Sequence, residues 1–127
     1  MAEAVTLTSY RKRLAKQASG GPAAPAIAFM AFGDGGHDPV TLRAIQPSDT
    51  QTALNNEVLR KPLGAISQED PLSVTGRGMI EAAEMIGVRI SEAALIDSVG
   101  NLVGIKNFAP KVKESDERYE ISIKLRY

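Results

Sequence analysis

From Tyr119 to Tyr127 the chain alternates without interruption: Tyr119, Ile121, Ile123, Leu125 and Tyr127 fall on one face of an extended segment, and Arg118, Glu120, Ser122, Lys124 and Arg126 on the other. Side chains of a strand point to opposite faces in turn, so this spacing predicts a strand with one buried face and one wet face. Such a strand needs backbone partners at its sides and apolar cover over its buried face, so the chain must contain a sheet.

Further strand signals lie upstream. Ala26 to Phe32 is apolar throughout, which predicts a strand buried on both faces, and it breaks at Gly33-Asp34-Gly35-Gly36. Val58 to Ile66 reads as extended, with Pro62 forcing an edge position or a bulge. Leu72 to Ala83 reads as a strand bent or bulged at Gly76 and Gly78, and Val88 to Asp97 as another. Asp97 to Asn101 separates the apolar stretches Ala93 to Ile96 and Leu102 to Phe108, the pattern of a hairpin with a glycine-containing turn. Pro110 to Glu117 reads as a charged connecting loop, Gly36 to Thr50 as a long surface loop with a brief apolar patch at Val40, Leu42 and Ile45, and Thr52 to Glu57 as a helical turn. Glu81 to Met85 is compatible with helix on propensity.

One full helix is predicted, Thr8 to Ala18, with Leu7, Tyr10, Leu14 and Ala18 on one stripe, Thr8 as N-cap and Gly20-Gly21-Pro22 as the stop. Arg11, Lys12, Arg13 and Lys16 then form a solvated face, favoured near the C-terminal half by the helix dipole. Strands joined by turns rather than by helices predict an α+β fold. We expect mainly antiparallel β-sheet or sandwich with an N-terminal α-helix packed on it, as one domain over residues 1–127.

Composition narrows the function classes. Fifteen basic and fifteen acidic residues cancel, which removes the field expected of a general nucleic-acid binder or a polybasic membrane binder. No window approaches the ~20 apolar residues that span a bilayer, and the N-terminal stretch lacks the apolar core of a signal peptide. Zero cysteines exclude disulfides and thiolate metal ligands. The few aromatic residues fall on strand core positions, which disfavours a base-stacking platform.

Catalytic residues are not evident. His37 is the only histidine, so a histidine general base would have to be built around it. Asp34, His37 and Asp38 could hold a divalent ion, which leaves a small metal-dependent enzyme or ion-binding protein as an alternative, although the spacing matches neither a zinc site nor a calcium loop. The glycines could form an anion nest, but no Lys-Ser/Thr follows them and no helix start is evident. A tight reversal accounts for them better: glycine permits positive backbone angles, and Asp34 can bond nearby amides. Glu81 and Glu84 are spaced as solvent-facing carboxylates. Catalytic, metal and cofactor assignments are therefore none.

The order of motifs is more specific. Gly33-Asp34-Gly35 closes an apolar strand, and Thr52-Ala53-Leu54 leads to Asn56-Glu57-Val58 and Arg60. A run of Gly87, Ile90, Glu92, Leu95, Asp97, Gly100 and Leu102 then leads to Asn107-Phe108 and Pro110 before the final alternating strand. This succession resembles the N-terminal domain of phage tail-collar and tail-fibre proteins over nearly the whole chain. The chain departs from that pattern in a longer loop from His37 to Asp49, in Ala94-Leu95-Ile96, and near Pro110-Lys111. The resemblance implies a virion structural protein of a phage or prophage tail, attaching a tail fibre or collar component to the baseplate. Its implied partners are baseplate and tail-fibre proteins, with homotrimers in assembled fibres and no nucleic acid, membrane or small-molecule substrate. Its implied location is the virion tail, assembled in the bacterial host cytoplasm. With partner contacts expected on the loop and the segment after it, the candidate partner-binding residues are Asp34, Gly35, His37, Asp38, Asn56, Glu57 and Arg60. A β-rich interaction module unrelated to phage is the third reading.

Overall fold

The structure, a computed structural model, describes residues 4–127. The first three residues of the N-terminal stretch read above lie outside the described residues. Among the described residues, eight strands and one helix follow in the order β1 (Val5–Thr6), α1 (Thr8–Ala18), β2 (Ile27–Gly33), β3 (Glu57–Pro62), β4 (Ala65–Ser67), β5 (Ser73–Ile80), β6 (Arg89–Asp97), β7 (Leu102–Val112) and β8 (Tyr119–Arg126). They form two antiparallel sheets, a five-stranded one ordered β1-β7-β6-β2-β3 and a three-stranded one ordered β4-β5-β8.

The alternation in β8 does what the sequence requires. Ile121, Ile123 and Leu125 are buried and face Met30, Phe32, Ile80, Leu95 and Val103 between the sheets. The other face of the large sheet carries a second cluster, in which Ala31, Ala94, Ile96 and Ile105 meet Leu7, Leu54 and Leu102. β6 therefore lies in the middle of the sheet with apolar cover on both sides, and Ile90 through Asp97 are all buried. Each fully buried aliphatic side chain there stabilises the fold by about 1.5–3 kcal/mol. β2 is buried on both faces only from Met30 onward.

Several expectations are corrected. β5 contains no register shift, so Gly76 and Gly78 do not mark a bulge. A Cβ at Gly76 would meet Leu95 at 2.5 Å and one at Gly78 would meet Met30 at 2.6 Å, so these glycines let the two sheets approach. Thr8 is not the N-cap: Leu7 occupies that position in extended conformation without a side-chain cap, because its side chain is drawn into the core. The Thr8 N–H donates to the Asp49 carbonyl at 2.7 Å instead. Ala18 is exposed, so the helix's apolar stripe ends at Leu14. Arg13 leaves the solvated face and approaches the buried Asp97 carboxylate at 3.7 Å while donating to the Leu102 carbonyl at 3.3 Å.

The Thr52 to Glu57 segment is irregular rather than helical, pinned by the buried Leu54 and continuing into β3 at Glu57. β7 runs through Val112, beyond the expected Phe108. Ser91 faces an expanded stretch between the pairs Glu92–Asn107 and Ile90–Lys111, so Pro110 falls in a bulge where its missing N–H is tolerated. Pro62 ends β3, the edge strand of its sheet, as expected. The β6–β7 hairpin forms as read, with Gly100 at φ 97° and Asp97 accepting the N–H groups of Val99 and Asn101.

Candidate functional site

The glycine break at the end of β2 is built around a residue to which the sequence reading assigned no role, Glu92. It sits in β6, fully buried, on the face of the sheet that carries Ala94 and Ile96. One carboxylate oxygen, Oε2, accepts the N–H groups of Gly35 at 2.8 Å and Asn56 at 2.9 Å, and Oε1 accepts that of Asn55 at 2.9 Å. The amide cradle considered for an outside anion is thus occupied by the protein's own carboxylate. The signal that could have identified it is the one charge inside the run Ile90 to Ile96, whose only other polar residue is Ser91.

The glycines serve close approach here, not a tight reversal. The described glycines with positive φ are Gly20, Gly87 and Gly100, so Gly33, Gly35 and Gly36 do not need that freedom. A Cβ on Gly35 would meet Asn55 at 2.6 Å and Glu92 Oε2 at 2.8 Å, and one on Gly36 would strike the Ser91 carbonyl. Ser91 and Asn107 complete the brace. Gly36 N–H donates to Ser91 Oγ at 2.9 Å, and the buried Asn107 donates its amide to the Ile45 carbonyl at 2.8 Å.

Beyond this brace the expected surface loop folds into a small hairpin. His37 bridges Ala44, Ile45 N–H donates to the Gly36 carbonyl at 2.9 Å, and Asp38 N–H donates to the Arg43 carbonyl at 2.9 Å. Asp38 Oδ1 accepts the N–H groups of Val40 and Thr41, and these bonds, with Thr41's first, hold its carboxyl below the ordinary value of 3.8. Leu42 completes the turn at φ 59°, uncommon for a side chain of its size. The tip presents Val40, 88% exposed, with Leu42 partly exposed in the same turn, and Ile45 is partly exposed at the hairpin base.

The sequence-predicted residues therefore fall into one zone but act in three ways. Asp34 and Asn56 bond each other through their side chains, and Gly35 is tied to Asn55 and Glu92, so these belong to the brace. His37 and Asp38 form the hairpin base, His37 through Nδ1 and Ser91 Oγ at 2.8 Å. Glu57 and Arg60, on β3, form an exposed two-point ion pair at 2.8 and 3.0 Å, and Glu57 chiefly accounts for the raised Arg60 pKa. Asp34, His37 and Asp38 each bond a different local group. Among the described residues, no group of three or more such side chains could hold a metal ion. Glu84 pairs with Lys61 at 2.5 Å, which mainly lowers its pKa, and Glu81 pairs with Arg118 at 3.0 Å. No helix among the described residues is long and apolar enough to cross a membrane.

Fold and site together define a β-sandwich module that displays one braced hairpin with an apolar tip. The chain belongs to the family of phage tail-collar fibre proteins, whose N-terminal model matches residues 1–124. Neither a curated protein nor a solved structure matches it. Membership makes the chain a component of the phage tail, in a family whose members act with other tail proteins.

Proposed function

We propose that this chain attaches a tail fibre or collar component to the baseplate, with the hairpin tip at Val40 as the main contact and the Asn56–Arg60 segment beside it. The observation that carries this reading is Val40, 88% exposed at the tip of a hairpin whose base is fixed by Glu92, Ser91 and Asn107. An exposed aliphatic side chain on a pre-ordered turn binds without a large ordering cost. The protein's part is mechanical, it assembles in the host cytoplasm, and in the fibre it forms a homotrimer. Replacing Val40 and Leu42 with aspartate leaves the brace untouched. This pair should abolish co-purification with baseplate proteins while circular dichroism stays unchanged. Undiminished co-purification would remove the hairpin from the interface, and light scattering of the assembled fibre tests the trimer.

A further inference from the structure

Where α1 meets the end of β8, a cavity of about 240 Å3 opens, lined by Thr6, Arg11, Leu14, Arg126 and Tyr127. The volume is below the roughly 300–1,000 Å3 of ordinary small-molecule sites, so it suits one or two side chains. Its walls are set in advance. The Tyr127 hydroxyl meets that of Tyr10 at 2.5 Å, and the two rings stand edge to face with centroids 5.9 Å apart. Apolar surface continues past the rim, because Tyr127 N–H donates to the carbonyl of Leu72, whose side chain is 66% exposed.

Both cations of this cavity are exposed to solvent. Among the described residues neither Arg11 nor Arg126 is within ion-pair distance of a carboxylate, whereas Arg13, two positions along the helix, reaches Asp97. Two exposed guanidinium side chains line one small apolar cavity, and each offers a planar donor fork that matches a carboxylate. A neutral apolar segment would leave both cations unanswered. A nucleic-acid backbone would find no supporting field on a chain of net charge zero.

We propose that this corner binds an acidic segment of a partner protein, seating one aliphatic or aromatic side chain against Leu14 and Tyr127 while a neighbouring carboxylate is held by Arg11 and Arg126. The site shares no residue with the hairpin and does not depend on its role. The test is a nuclear magnetic resonance titration of the full chain with an acetylated, amidated tetrapeptide of alternating leucine and glutamate. The arginine Nε–H signals of Arg11 and Arg126 and the backbone amides of Thr6 and Tyr127 should shift. Each of Arg11→Gln and Arg126→Gln should weaken binding about two- to fivefold, the range of an exposed ion pair. Raising salt from roughly 0.05 to 0.5 M should weaken it as well. The glutamine counterpart of the peptide should not bind. Equal binding by that counterpart, or undiminished binding to the double variant, overturns the proposal. So do the same shifts from acetate alone, which would mark a small-anion site, and so does a concentration-dependent dimer lost in the double variant, which would make a second copy the occupant.

Discussion

The residue on which the hairpin most depends is Glu92, a buried carboxylate that accepts three backbone N–H groups from two separate loop segments. Hydrogen bonds to charged groups contribute about 1.5–3 kcal/mol each, and a buried donor left without a partner costs more than the bond itself. Glu92→Gln keeps the shape but turns an amide donor toward one of these N–H groups. It should lower stability by about 1.5–3 kcal/mol in urea denaturation, and Glu92→Ala should lower it by more. Amide exchange should quicken at Gly35, Asn55 and Asn56 in both variants, and unchanged exchange at all three would show that Glu92 does not hold them. The resemblance already contained this residue at its motif position, but a single sequence cannot show that three amides converge on it. Conversely, Asp34, His37 and Asp38 stand close in sequence and suggested one site, yet each side chain turns to its own neighbour.

At the scale of elements, legibility followed periodicity. The two-residue repeat of β8 and the helical spacing of Leu7, Tyr10 and Leu14 depend on local geometry, and both were readable. The role of Gly76 and Gly78, the extension of β7 past Pro110 and the hairpin within residues 36–45 depend on what lies across the fold, and none was readable. The hairpin's own stability should be pH-dependent through Asp38. Its folded pKa is lowered below the ordinary 3.8 by the Thr41 and Val40 amides, so its contribution is complete above about that pH and is lost as pH falls through the lower folded value. Exchange protection of Val40 and Thr41 amides should therefore persist at pH 5 and fade only once pH has fallen below the ordinary aspartate value, while Asp38→Asn should show weaker protection with no such transition. Leu42 tests the hairpin differently. A left-handed conformation costs a non-glycine residue about 1–2 kcal/mol, so Leu42→Gly should relieve strain and keep the hairpin formed. If baseplate binding weakens in that variant while the turn stays ordered, the exposed side chain is what the strain maintains.

Across the whole molecule, the body and the hairpin should respond separately to mutation. The body is two sheets drawn together over one apolar layer, closed at one corner by Tyr10 against Tyr127, and the hairpin hangs from the outer face of the larger sheet through polar contacts. Spacing between the sheets is limited by glycine: a side chain at Gly78 must displace Met30, whose sulfur would lie 2.6 Å from the new Cβ, and then meets Phe32 at 3.2 Å. Methionine is flexible enough to accommodate a methyl group, whereas a branched side chain forces the layers apart. Gly78→Val should therefore cost about 1–3 kcal/mol by overpacking, and lower the melting temperature by roughly 4–12 °C in a chain of this size. Gly78→Ala should lie well below that. Because the change touches the inner layer and leaves Glu92, Ser91 and Asn107 in place, Gly78→Val below its melting point should keep native exchange protection at Gly35 and Gly36 and native binding through Val40. Loss of hairpin protection in Gly78→Val at a temperature where the sandwich remains folded would mean that the brace senses sheet spacing, and that docking and core packing are coupled.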